Sequence, residues 1–212
     1  MKQGILPLGL LLAMSALIFG GCGAEPKRPD VAQPEEIHIA APAFDGDSAF
    51  SYIQKQVDFG PRVPNSREHV ACGDWLALEL QRHGAEVVEQ PGRVRAYDGT
   101  VLEMRNIIGQ FRPENSERIM LYAHWDTRPF ADKDTIRMRE PIDGANDGGS
   151  GVGVLLEIAR IIGADTTLDV GIDVIFFDAE DYGAPEWASA ASGGVMTWCL
   201  GSQFWANQPH KF

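Results

Sequence analysis

The chain has 212 residues, of which 44% are hydrophobic and 23% charged, so one domain with a proper buried core is the default and a disordered chain is excluded. Thirty acidic residues against 18 basic ones give a formal net charge of −12. That balance argues against nucleic acid or an anionic membrane surface as a partner.

Residues 1–21 read as a signal peptide. Lys2 precedes an apolar run from Ile5 to Phe19 that is interrupted by Pro7, short for a membrane span, and closed by small residues. Phe19-Gly-Gly-Cys22 is similar to a bacterial lipobox, in which Cys22 becomes the acylated first residue; an ordinary signal peptide with an incidental cysteine is the alternative. Residues 22–47, rich in Pro, Ala and acids, read as a flexible tether. The folded part is then expected over 48–212.

Ser48 to Phe59 is expected to be helical with Ser48 as cap, followed by the rigid loop Phe59-Gly-Pro-Arg-Val-Pro. Ser66 caps a long helix through Arg82, with Glu68 in its first turn and Gly84 just past its end. Short strands are expected near 85–89, 92–96, 101–111 and 119–123, with Asp98-Gly99 as a hairpin turn. A charged loop spans Pro129 to Pro141, a helix 149–162, and a strand 170–177; a Gly/Pro/Ala/Ser loop at 182–194 leads to a last helix from about Val195. Strands alternating with helices predict an α/β fold, a single doubly wound domain with a mixed sheet. The chain stops at Phe212 directly after the last helix, where such a sheet would return to add strands, so the fold is expected to be incomplete at the C-terminus.

The strand Val174-Ile-Phe-Phe177 is an unbroken apolar run, as in a strand buried on both faces, yet it ends in Asp178, Glu180 and Asp181. Adjacent carboxylates repel, and the carboxyl edge of an α/β sheet is where ligands bind. By itself this could equally be an acidic, solvated loop. Two further segments tip the balance. Arg118-Ile-Met-Leu-Tyr-Ala123 finishes in His124-x-Asp126, and Asp147 sits in the glycine-rich turn Gly144-Ala-Asn-Asp-Gly-Gly149 just before a helical run. Imidazole plus carboxylates, with no cysteine among them, suits zinc in a catalytic rather than a structural role.

The order strand–His-x-Asp, glycine-flanked Asp before a helix, then Phe-Phe-Asp-x-Glu-Asp resembles the zinc-dependent aminopeptidase superfamily. Within it the likeness is to the glutaminyl-peptide cyclotransferases of the bacterial form that is similar to the animal enzymes. His-Trp-Asp-Thr-Arg-Pro at 124–129, Gly-Ala-Asn-Asp at 144–147, Ile-Phe-Phe-Asp-Ala-Glu-Asp at 175–181, Trp187 and Leu-Gly-Ser-Gln-Phe-Trp-Ala at 200–206 carry it. The resemblance implies one zinc per full-length chain, held by Asp147, Asp181 and a histidine beyond Phe212. It implies Glu180 as general acid/base, and peptides with N-terminal glutamine as substrates. Asp147 could instead be a helix N-cap. His124 would bind a second metal in a two-zinc aminopeptidase, with Asp126 orienting its ring, and stay unligated in a cyclase. Trp187 would wall the substrate pocket, although a loop tryptophan also packs for its own sake. Trp198 and Trp205 are expected in the core of the last helix, and His210 to be exposed. Cys72 and Cys199 are expected as small buried apolar groups, although an exported chain could oxidise them.

Three functions fit: an exported, lipid-anchored glutaminyl cyclase of a bacterium, a two-zinc aminopeptidase, and a non-catalytic surface-binding lipoprotein that kept the scaffold. The intact run of acids argues against the third. His-Trp-Asp-Thr-Arg-Pro, Asp181 where peptidases carry glutamate, and the Trp187 loop favour the first.

Overall fold

The computed structural model describes residues 41–188 and 197–211. The signal peptide, Cys22, nearly all of the tether and the start of the last helix at Val195 lie outside the described residues. The elements are α1 (Gly46–Asp58), α2 (Arg67–Arg82), β1 (Glu86–Arg95), β2 (Val101–Phe111), β3 (Arg118–His124), α3 (Gly149–Ala164), β4 (Gly171–Phe177) and α4 (Leu200–Asn207). Four strands form one mixed sheet in the order β1-β2-β4-β3. β4 is parallel to β3 and antiparallel to β2, and β2 is antiparallel to β1.

β4 is buried along its whole length, as its apolar run requires. Ile172, Val174 and Phe176 enter the larger core with Leu76 and Leu80 of α2 and Val152, Leu156 and Ala159 of α3. The alternate residues Ile175 and Phe177 pack on the opposite face with Ile108 and Trp205 of α4. Period-two alternation on a fully buried strand thus puts helices on both faces. This is the doubly wound α/β arrangement expected from the sequence. Among the described residues no helix is long and apolar enough to cross a membrane.

Several boundaries differ from expectation, each for a local reason. α1 starts two residues early because Asp45, not Ser48, caps it. The carboxylate accepts the Asp47 and Ser48 N–H groups, both at 3.0 Å. The two short strands expected at 85–89 and 92–96 are one strand running through Pro91. A proline is tolerated there because β1 is an edge strand, with β2 its single neighbour among the described residues. α4 begins at Leu200 rather than near Val195, so Trp198 precedes the helix, and its ring lies under the Arg128 guanidinium. The N–H groups of Cys199, Leu200 and Gly201 bond to the carbonyls of Glu180, Ala179 and Asp178 at 2.8, 2.9 and 3.0 Å. Helix α4 is therefore fastened by its first turn to the chain leaving β4. His210 is not exposed: its ring is 4% accessible, accepts the Trp205 indole N–H at 2.9 Å and lies 3.7 Å from Asp173. Cys72 is buried and Cys199 half-buried, and both are free thiols.

Candidate functional site

Parallel pairing delivers the site. His124, the last residue of β3, is in register with Phe177, the last residue of β4. The Trp125 N–H to Phe177 carbonyl bond at 3.1 Å carries that register one step further. The two strand exits, Trp125-Asp126 and Asp178–Asp181, therefore emerge side by side at the carboxyl edge. The turn before α3 enters the same edge. Gly148 holds φ +80°, and a Cβ there would lie 3.0 Å from His124 Cε1 and from the Asp126 carbonyl. Only glycine lets the turn come so near.

Asp126 organises the centre from beneath. It is fully buried, and its two carboxylate oxygens accept the N–H groups of Glu180 (3.0 Å) and Asp181 (3.1 Å). Its Oδ1 also faces His124 Nδ1 at 3.4 Å. On its other side, His124 Nε2–H donates to Asp147 Oδ1 at 3.0 Å. Glu180 Oε2 is 3.9 Å from His124 Nδ1, and Glu180 Oε1 accepts the Cys199 thiol at 3.3 Å. Sequence reasoning named His124, Asp126, Asp147, Glu180 and Asp181, and the fold brings all five to one edge. Asp147 does not cap α3, since Gly148 occupies that position and no side chain caps the helix.

The charges are strongly perturbed. Burial, then the negative charges of Asp147 and Asp126, push the Asp181 carboxyl up to about 7, with Arg128 opposing. Burial works against a charged His124 ring, but Asp126 and then Glu180 and Asp147 override it and raise it to about 9. Asp181 Oδ2 is buried without a hydrogen-bond partner among the described residues. An orphaned carboxylate oxygen pressed by two other acids is in a state that a cation relieves. Two carboxylates suit zinc as ligands, although among the described residues no group of three His, Cys, Asp or Glu donors closes on one point.

Asp147 and Asp181 line one cavity of about 830 Å³, together with Arg128, Phe130, Asp132 and Trp198. A neighbouring cavity of about 380 Å³ is lined by His124, Glu180, Cys199 and again Asp147. Trp187 stands beside the larger cavity, 42% exposed. Its ring meets Phe130 edge-on at 5.4 Å, and the Arg139 guanidinium sits over it at 4.9 Å. The rings that line the cavity itself are Phe130 and Trp198.

Three supporting groups escaped sequence reasoning. Arg128 pairs with Asp132 at 2.6 Å, donates to the Asp181 carbonyl at 3.1 Å and lies over Trp198 at 4.6 Å. Arg62, fully buried, donates to the carbonyls of Trp125, Asp143 and Gly144 and so ties two site loops together. His69 of α2 stacks on Trp125 at 4.3 Å, and its Nε2–H donates to Asp178 at 2.8 and 2.9 Å. Burial pushes the Asp178 carboxyl up against the pull of His69. The next residue, Ala179, holds φ +50°, a strained turn that aims Glu180 and Asp181. The intra-motif spacing of Arg128 from His124 was a usable signal; His69 and Arg62 sit far off in sequence and carried none.

Peptidase family M28 matches residues 106–212. Among solved structures, the chain is 57% identical to a Zn-dependent exopeptidase of Parabacteroides distasonis, with a TM-score of 0.74 over 81% of this chain and 58% of that one. It is also 57% identical to the glutaminyl cyclase of Tannerella forsythia, with a TM-score of 0.75 over 80% of this chain and 58% of that one. A probable zinc metalloprotease of Leptosphaeria maculans is 27% identical over 150 residues, 62% of this chain and 33% of that protein. The chain thus spans well under two thirds of the length of each of these relatives.

Proposed function

Since the chain belongs to peptidase family M28, we propose that it carries the centre of a zinc-dependent glutaminyl-peptide cyclotransferase. Such an enzyme converts the N-terminal glutamine of a peptide to pyroglutamate and releases ammonia. One observation carries the reading. Glu180 and Asp181 are held side by side through their backbones by Asp126, yet their side chains differ: Asp181 is buried with an orphaned oxygen, while Glu180 is one-third exposed. Two acids in two environments divide the work into a ligand and a proton carrier. The likeness to the Tannerella glutaminyl cyclase favours the cyclase within the family.

In this reading Asp147 and Asp181 would be two of the ligands of one zinc. A zinc bound there would supply Lewis-acid chemistry, polarising the γ-carboxamide and offsetting the negative charge that develops on its oxygen. Glu180 takes a proton from the α-amino group, whose nitrogen attacks the carbonyl carbon of the γ-carboxamide and closes the five-membered ring. Glu180 then gives that proton to the departing nitrogen, which leaves as ammonia. Trp187, behind Phe130, shapes the pocket for the glutamine end of the peptide. The acidic chain is expected to bind peptides and not nucleic acid. We also propose that the protein is an exported bacterial lipoprotein anchored through acylated Cys22 and by that lipid alone.

Changing Glu180 to Gln in the intact protein keeps shape and removes the proton acceptor. Ammonia release from an N-terminal Gln peptide should fall by about a hundredfold or more with zinc content unchanged. Retained ammonia release at unchanged zinc would overturn the role. A two-zinc aminopeptidase remains the second reading, favoured by His124 lying between Asp147 and Asp126. Two tightly held zincs per chain, with one lost on His124→Ala, would decide for it.

A further inference from the structure

We infer that Cys199 is a positioning residue for Glu180: its thiol holds one carboxylate oxygen and so turns the other toward the reacting proton. The inference rests on the proton-carrier reading of Glu180 given above. A cysteine in this position was expected to be core filling, and the packing says otherwise. Cys199 belongs to none of the three buried apolar clusters among the described residues, and it is only half-buried. It lines the 380 Å³ cavity with His124 and Glu180.

The backbone fixes where the sulfur points. Cys199 holds φ 57° and ψ 35°, a left-handed conformation that side chains other than glycine and asparagine seldom take. Its N–H bonds to the Glu180 carbonyl at 2.8 Å, and the next two N–H groups continue along the carbonyls of Ala179 and Asp178. Sulfur and carboxylate are thereby locked at 3.3 Å, Sγ to Oε1. Glu180 Oε2 is left facing His124 at 3.9 Å. A one-third exposed glutamate with three rotatable bonds would otherwise sample several rotamers and spend little time in the working one. Burial and then the bond to Glu180 push the thiol up to about 11, which keeps it an S–H donor and not a nucleophile.

The test has a kinetic and a spectroscopic arm, both on the intact protein. Cys199→Ala should lower kcat for an N-terminal Gln peptide about fivefold, the size expected for one modest hydrogen bond, at unchanged KM, zinc content and melting temperature. Cys199→Ser, which keeps a donor, should restore most of the loss. Equal losses in both variants, or no loss in either, overturn the inference. Infrared absorption reads the contact without any turnover: the S–H stretch that disappears in Cys199→Ala should shift to higher wavenumber in Glu180→Ala as the hydrogen bond is lost. An unmoved band overturns the contact itself. If the unaltered protein cyclises nothing, the proposed function fails while the spectroscopic arm still decides the contact.

Discussion

Asp126 is fully buried, and it determines where Glu180 and Asp181 stand. Its two oxygens take the N–H groups of Glu180 and Asp181, and its charge is the chief support of the His124 cation. Removing it leaves the buried Asp181 N–H without a partner, at a cost of about 1–3 kcal/mol, and frees the part-buried Glu180 N–H as well. Asp126→Ala is therefore expected to lower the melting temperature and the zinc-to-protein ratio together, measured by thermal melt and elemental analysis. A variant that keeps full zinc content would show that the acids find their places unaided. At this scale the sequence was most legible: His124, Asp126, Asp147, Glu180 and Asp181 stand at strand ends or in a glycine turn, where their spacing betrays them. It was silent on the groups that reach the site from distant elements, His69 and Arg62, because no spacing links residues brought together only by the tertiary fold.

At the scale of elements, α1 and α3 are joined by one buried acid. Glu157 of α3 is inaccessible to solvent and pairs with Arg160 at 2.6 Å, while it accepts the N–H of Asp45, the α1 cap, at 3.0 Å. Arg160 and the Asp45 N–H hold its carboxyl below the ordinary value of 4.5 despite burial. A depressed acid stabilises the fold above its unfolded value and loses that contribution as pH falls through its folded value. Glu157→Gln should therefore lower the melting temperature at neutral pH, by about 1–2 kcal/mol of stability, and the gap to the unaltered protein should close as pH drops below about 4.5. A gap that persists unchanged into acid would assign the effect to packing instead. The helices and the hairpin were readable from caps and periodicity, with small errors at the ends. Asp45 outcompeted Ser48 because a carboxylate accepts two N–H groups at once. The start of α4 differs from expectation where the N–H groups of Cys199, Leu200 and Gly201 are drawn into pairing with the β4 exit, a tertiary contact that no local propensity contains.

Across the whole molecule, the carboxyl edge of the sheet and the N-terminal segment make separate demands. The net charge of −12 gives the chain little attraction to an anionic bilayer. In the proposed lipoprotein, membrane association then comes from Cys22 alone. One or more acyl chains contribute through buried methylenes, at about 0.8 kcal/mol for each CH₂, and that term is insensitive to salt. The expected outcome is that mature protein begins at Cys22 and stays with the membrane fraction in high salt, whereas Cys22→Ser moves to the soluble fraction. Mass spectrometry of the N-terminus and fractionation at two salt concentrations measure this. A Cys22→Ser protein that remains equally membrane-bound removes the lipid anchor, and release of the unaltered protein by salt would point to charge in place of acyl chains. Cyclase activity should be the same in both fractions, because Asp126, Asp147, Glu180 and Asp181 all lie outside the tether.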